Sequence, residues 1–269
     1  MLTCAQRTLL LGMLLVLAGC GSPPPPPAPS PRPEPAPVAR AATPSPAPAP
    51  APVVVLDPGH NGGNADAAEE IGREVPDGRG GTKPCNTTGT ATADGYTEHA
   101  FAWDVAARVT RLLEARGVEV RSTRPDDTGV GPCVDRRAAI ANDAAPDGSR
   151  AALTVSIHAD GATRDGRGFH VALSDPPLAP SQREPSAALG RALVAGLEEQ
   201  GFTPSTYRGE AGIDRRPDLA GLSLARVPSA LVECANMANP AEARVVADPA
   251  GRQRYADGIA AGILATLGR

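Results

Sequence analysis

From residue 53 onwards the pattern of apolar and polar positions predicts strands alternating with helices. Val53-Val54-Val55-Leu56 is apolar at consecutive positions, as expected of a parallel strand buried on both faces. Residues 61–96 follow without clear periodicity and are rich in Gly, Asp and Thr. An irregular stretch of that length in a compact domain reads as a functional loop or lid. Thr97 then stands where it can cap a helix whose inward face is Phe101, Val105, Val109 and Leu112, ending at Gly117. A strand over 118–123 and a short helix over 134–142 precede the alternating strand Leu153-Thr154-Val155-Ser156-Ile157. Phe169 to Leu173 gives a further strand, and a helix from Ser186 to Gln200 carries Leu189, Leu193 and Leu197 at four-residue spacing. Strand Ala230-Leu231-Val232 and a last helix over 249–267 complete the pattern. Strands alternating with helices imply the α/β class: a single three-layer domain over 53–269, its mostly parallel sheet covered on both faces.

The first 52 residues have a different composition. Residues 1–20 carry Arg7, an apolar run over 9–17 and small residues before Cys20, the arrangement of an export signal. The run is shorter than the roughly 20 apolar residues of a spanning helix. Leu17-Ala18-Gly19-Cys20 resembles the lipobox of bacterial lipoproteins, which makes Cys20 the expected lipidated residue; plain cleavage nearby is the rival reading. Residues 21–52 are almost entirely Pro, Ala and Ser, an extended tether that can build no core. The expected location is thus the outer face of the cell membrane or the cell wall.

Export alters the reading of the cysteines, because thiols outside the cytoplasm tend to pair. Cys85 and Cys133 both lie in loop-like segments and are the expected pair, with Cys234 a buried free thiol in a strand. Three cysteines also permit the other pairings. The net charge is −4, Lys83 is the only lysine and the arginines are scattered, so nucleic acid is excluded as a partner. Nothing in the sequence calls for more than a monomer.

In open α/β sheets ligands collect at the carboxyl ends of the strands. The first strand runs into Asp57-Pro58-Gly59-His60, the middle one into Ser156-Ile157-His158-Ala159-Asp160 and the late one into Glu233-Cys234, while Glu98 opens the first helix on its core-facing side. Two imidazoles and a carboxylate, His60, Glu98 and His158, form a candidate zinc set with a fourth position left for water. Glu233, arriving separately, is the candidate general base. Each residue alone has a plainer explanation: a strand-end histidine is usually only hydrogen-bonded, and Glu98 suits a helix N-terminus. Their joint placement favours the metal site. His99 and His170 lack such placement and read as structural.

At this point the domain resembles the zinc-dependent N-acetylmuramoyl-L-alanine amidases of the Amidase_3 family, particularly its small actinobacterial members. The resemblance is carried over nearly all of 53–267 by residues 54–60, Thr97-Glu98, 121–124 with 136–142, 156–159 and Pro228 to Glu233. It implies a mixed sheet flanked by helices, Zn2+ on His60, Glu98 and His158, Glu233 as the catalytic glutamate, and peptidoglycan or muropeptide as substrate. The bond cut is the amide joining N-acetylmuramic acid to L-alanine. Departures are Asn61-Gly62 where two glycines are frequent, and Asp160 where asparagine is frequent; neither removes a ligand. Two other functions remain open on the sequence: an idle wall-binding lipoprotein, and a zinc peptidase acting within the stem peptide.

Overall fold

The computed structural model describes residues 21–30, 51–143 and 150–269. The expected signal at 1–20 with Cys20, and residues 31–50 of the tether, lie outside them. Residues 21–30 are exposed and carry no regular secondary structure. Pro48–Arg269 is one compact unit. Among the described residues, no helix is long and apolar enough to cross a membrane.

The unit is built on six strands: β1 Val53–Pro58, β4 Glu119–Ser122, β5 Leu153–Asp160, β6 His170–Ser174, β7 Ile213–Arg216 and β8 Ser229–Asn236, in the order β4-β1-β5-β8-β6-β7. All neighbours pair in parallel except β6 with β8, which are antiparallel, so the sheet is mixed. The unbroken apolar run of β1 has a direct cause in packing. Val54 and Leu56 join the main core, while Val53 and Val55 join a second cluster with Ala141, Ala151 and Val227 on the opposite side.

One face of the sheet is covered by helices α2 Glu98–Glu114, α4 Glu184–Glu199 and α7 Pro249–Thr266. Phe101, Val105 and Val109 of α2 and Leu189, Leu193 and Leu197 of α4 are fully buried there, as four-residue spacing requires, but the last buried position of α2 is Leu113, and the expected Leu112 is only partly buried. α4 and α7 approach so closely that a Cβ on Gly196 would lie 2.2 Å from the Gly258 carbonyl. Helices α3 Val134–Asn142 and α5 Ala220–Leu224 lie on the other face.

The structure corrects several sequence expectations. Residues 61–96 are not irregular throughout: they hold a 3-10 turn, helix α1 Ala68–Gly72 and a small hairpin of β2 Glu74–Pro76 with β3 Thr82–Pro84. Thr97 stands at the N-cap of α2 but its side chain makes no capping bond. The C-terminal region contains an additional helix, α6 Pro240–Ala247, before α7. Both begin with proline after a capping side chain, Asn239 for α6 and Asp248 for α7. Strands β5 and β8 run on past their expected ends, to Asp160 and Asn236, so His158 and Glu233 sit inside strands rather than after them.

Candidate metal centre

β1 ends at Pro58, and the next two residues turn sharply. Gly59 donates its N–H to the Ile157 carbonyl at 2.9 Å, and His60 has φ of 56°, in the left-handed region. For a residue with a side chain that conformation costs about 1–2 kcal/mol. Its consequence is to aim the His60 ring back over the end of the sheet. Gly59 admits no side chain, since a Cβ there would lie 2.4–2.8 Å from the His158 ring.

Three donors then converge. Glu98 Oε1 lies 3.0 Å from His60 Nε2 and 2.9 Å from His158 Nδ1. One ligand atom from each of the three residues lies within 4.8 Å of the others. The outer bonds orient the set: His60 donates Nδ1–H to the Thr87 carbonyl at 3.0 Å, which leaves Nε2 facing the centre. Glu98 accepts from the N–H of Thr90 through Oε2 and from the N–H of Ala159 through Oε1. Burial alone would raise the Glu98 carboxyl, but its bonds with His158 and His60 hold it well below the ordinary range. Burial alone would lower the His60 imidazole, yet the Glu98 bond and charge raise it instead. A buried anion crowded by two imidazole nitrogens has the donor chemistry of a divalent-ion site, and the residues fit one.

Glu233 stands beside the triad. It is the register partner of His158 across the parallel β5–β8 pair, and of His170 across the antiparallel β8–β6 pair. Its Oε2 is buried without a hydrogen-bond partner among the described residues. Burial and the nearby charges of Glu98 and Asp160 push its pKa well above the ordinary carboxylate value. A carboxyl so placed is suited to exchanging protons. Glu98, His60, His158, Glu233 and Asp160 line one cleft of about 430 Å³, walled by the segment 83–90 on one side and by α5 on the other.

The model of the Amidase_3 family, N-acetylmuramoyl-L-alanine amidase, matches residues 54–265. The chain belongs to this amidase family. An N-acetylmuramoyl-L-alanine amidase of Mycobacterium tuberculosis is 47% identical over 220 residues, 81% of this chain and 88% of that protein. The crystal structure of an N-acetylmuramyl-L-alanine amidase from Mycobacterium smegmatis is 50% identical, with TM-score 0.77 over 81% of this chain and 98% of that one. An apo form from Mycobacterium abscessus is 44% identical, again at TM-score 0.77, covering 81% of this chain and 100% of that chain. The amidase is therefore a peptidoglycan hydrolase with the mixed six-stranded fold of its relatives. The family is typically metal-dependent.

The remaining sequence candidates fall outside the triad. His99, next to Glu98, bonds Asp127 at 2.9 Å, and His170 is buried in β6. Cys85 and Cys133 form a disulfide joining the end of the hairpin segment to the start of α3, and Cys234 is buried and free. Sequence reasoning assigns no role to Asp57, whose carboxylate accepts from Thr123 Oγ1 at 2.5 Å, Ser156 Oγ at 2.6 Å and Arg137 at 2.6 Å in the cleft lining. It assigns none to Arg124 and Arg137 either, although both lie in segments that carry the family resemblance. An arginine in a polar loop and another in a short helix look like surface residues until the fold closes around them.

Proposed function

We propose that the amidase cleaves the bond between N-acetylmuramic acid and L-alanine with zinc held by His60, Glu98 and His158, and with Glu233 as general acid and base. The observation that carries this reading is the convergence of both imidazoles on Glu98 Oε1, with Glu233 one strand away from His158 and, among the described residues, unpaired on one oxygen. Zinc, when bound, acts as a Lewis acid on the lactyl carbonyl and on the attacking water.

The protein's own groups do the rest. Glu233 accepts the proton of the attacking water on its carboxylate and returns it to the departing alanine nitrogen. Thr87, through its carbonyl, holds the His60 tautomer that presents Nε2, and the N–H of Thr90 keeps the Glu98 carboxylate turned inward. Asp57 and Arg137, both in the cleft lining, form an ion pair at 2.6 Å, so their opposite charges largely offset each other there.

The test is digestion of purified muropeptide by zinc-loaded protein, with products read by mass spectrometry. Free peptide beginning with L-alanine is expected; products cut within the stem would mean a peptidase, and intact substrate an idle fold. We also propose that Cys20 is lipidated and that residues 21–52 tether the domain to the outer face of the membrane, on the strength of Leu17-Ala18-Gly19-Cys20 and the proline-rich composition that follows. Cys20→Ala should then release the protein from the membrane fraction and abolish incorporation of labelled fatty acid.

A further inference from the structure

Two guanidinium groups lie beneath the turn that presents His60. Arg124 is 1% exposed and Arg137 is 5% exposed. Arg137 donates to the carbonyls of Pro58 and His60, both at 2.7 Å, of Pro132 at 2.9 Å and of Gly131 at 3.2 Å, and to Asp57 at 2.6 Å. Arg124 donates to Pro58 O at 3.1 Å, Gly59 O at 3.3 Å, His99 O at 3.0 Å, Asp126 O at 2.6 Å and Asp127 Oδ1 at 2.8 Å. A guanidinium has five N–H donors, and in each arginine all five are engaged by the chain itself. Neither has a donor left for substrate, although Arg137 lines the cleft.

The carbonyls they hold are not scattered. Pro58, Gly59 and His60 are consecutive, and every one of their carbonyl oxygens accepts from one or both guanidiniums. This is the turn that puts His60 in the left-handed region. Arg124 also grips the carbonyl of His99, the residue after Glu98, so a single side chain joins the carriers of two of the three converging donors. Its guanidinium carbon also lies over the Trp103 ring, 5.0 Å from the ring centre.

We propose that Arg124 and Arg137 are positioning residues of the metal centre, a two-guanidinium clamp that fixes the His60 turn and its spacing from Glu98. This rests on the reading of His60, Glu98 and His158 as metal ligands. Lysine cannot replace either arginine, because a flexible ammonium with three donors cannot span carbonyls that a planar fork reaches together.

The experiment uses the full chain, stripped of metal, in four forms: parent, Arg124→Lys, Arg137→Lys and Arg252→Lys. Arg252 is the control, since it makes comparable bonds to Asp104 and to the carbonyls of Val246 and Ala247, none of which belongs to the metal turn. Zinc affinity is measured by chelator competition, the cobalt(II) absorption spectrum reports ligand geometry, and melting temperature reports stability. The two clamp variants should lose roughly ten- to a hundredfold in zinc affinity and shift the cobalt bands. Arg252→Lys should keep parental affinity and spectrum even where its melting temperature drops as far. Parental affinity in both clamp variants, or an equal loss in the control, overturns the clamp. A parent that binds neither ion overturns the metal reading itself, and that failure shows before any variant is compared.

Discussion

Glu233 and His158 face each other across adjacent parallel strands, as direct register partners in the β5–β8 pair. The distance between the His158 imidazole and the Glu233 carboxyl is thus set by backbone ladder hydrogen bonds, with no loop intervening. Changing one side chain therefore leaves the placement of the other intact, which makes the division of labour between them measurable.

Glu233→Gln should keep the metal and lose turnover. Glu233 is not among the three converging donors, so zinc content should match the parent while muropeptide hydrolysis falls by roughly 10²–10⁴-fold, the usual worth of a positioned proton donor and acceptor. Hydrolysis at the parental rate would remove Glu233 from the mechanism.

Gly59→Ala should damage the metal site more than the fold. The added methyl would lie 2.4–2.8 Å from ring atoms of His158, and that ring cannot swing aside without leaving the centre. Far-ultraviolet circular dichroism should remain parental while zinc affinity falls by roughly tenfold or more, the usual cost of disturbing how a ligand is held. Retained affinity would mean that the turn has more slack than its geometry indicates.

Asp57 should contribute to acid sensitivity. Burial works to raise its pKa, but the Arg137 charge and the bonds from Ser156, Thr123 and Arg137 hold it below the ordinary 3.8. A carboxyl with a depressed pKa adds stability above its unfolded value and loses it as pH falls through the lower folded value. Asp57→Asn leaves Arg137 buried without its anion and should cost about 3–5 kcal/mol at neutral pH. The variant should also show a shallower loss of stability below about pH 4. Chemical denaturation from neutral to strongly acidic pH measures both; parallel curves for the two proteins would contradict the assignment.

His170 should act in a higher window. Burial pushes its pKa down to about 4 from 6.5, against the opposing pull of Asp160 and Asp214. The unfolded chain then binds the extra proton first, so stability falls as pH drops from 6.5 towards 4, by up to roughly 3 kcal/mol. His170→Gln should remove that component. With both proteins metal-free, their stability difference should change across this range and be constant above about pH 7; a constant difference throughout would sink the idea.

The Cys85–Cys133 bridge closes a loop with a sequence separation of 48. Chain-entropy reasoning puts its stabilisation at about 4 kcal/mol. Replacing both cysteines by alanine should lower the melting temperature by roughly 8–16 °C. It should also speed proteolysis within 73–90, because the bridge ties this segment to α3. An unchanged melting temperature would show that the hydrogen bond from Val134 N to Cys85 O and its neighbours hold the wall alone.

Elements defined by a sustained apolar period can be read from local sequence, because burial imposes that period directly. The run Val53 to Leu56, the stripe from Phe101 to Val109 and that of Leu189, Leu193 and Leu197 all appear where their patterns place them. Polar edges have no such period. Strand β7, Ile213–Arg216, lies at the edge of the sheet and is mostly charged, and the hairpin of β2 and β3 has three residues a side. The polar ends of β5 and β8 look like loops, yet ladder bonding carries both strands on through His158 and Glu233. His60, Glu98, His158 and Glu233 stand out in the chain by residue type and by nearness to strand and helix ends. Their convergence in space is a different matter: it depends on strand order, on a left-handed turn and on two buried guanidiniums, none of which leaves a local periodic trace. Contacts between residues so distant in the chain are made by packing, and packing is decided only when the sheet and its helices close together.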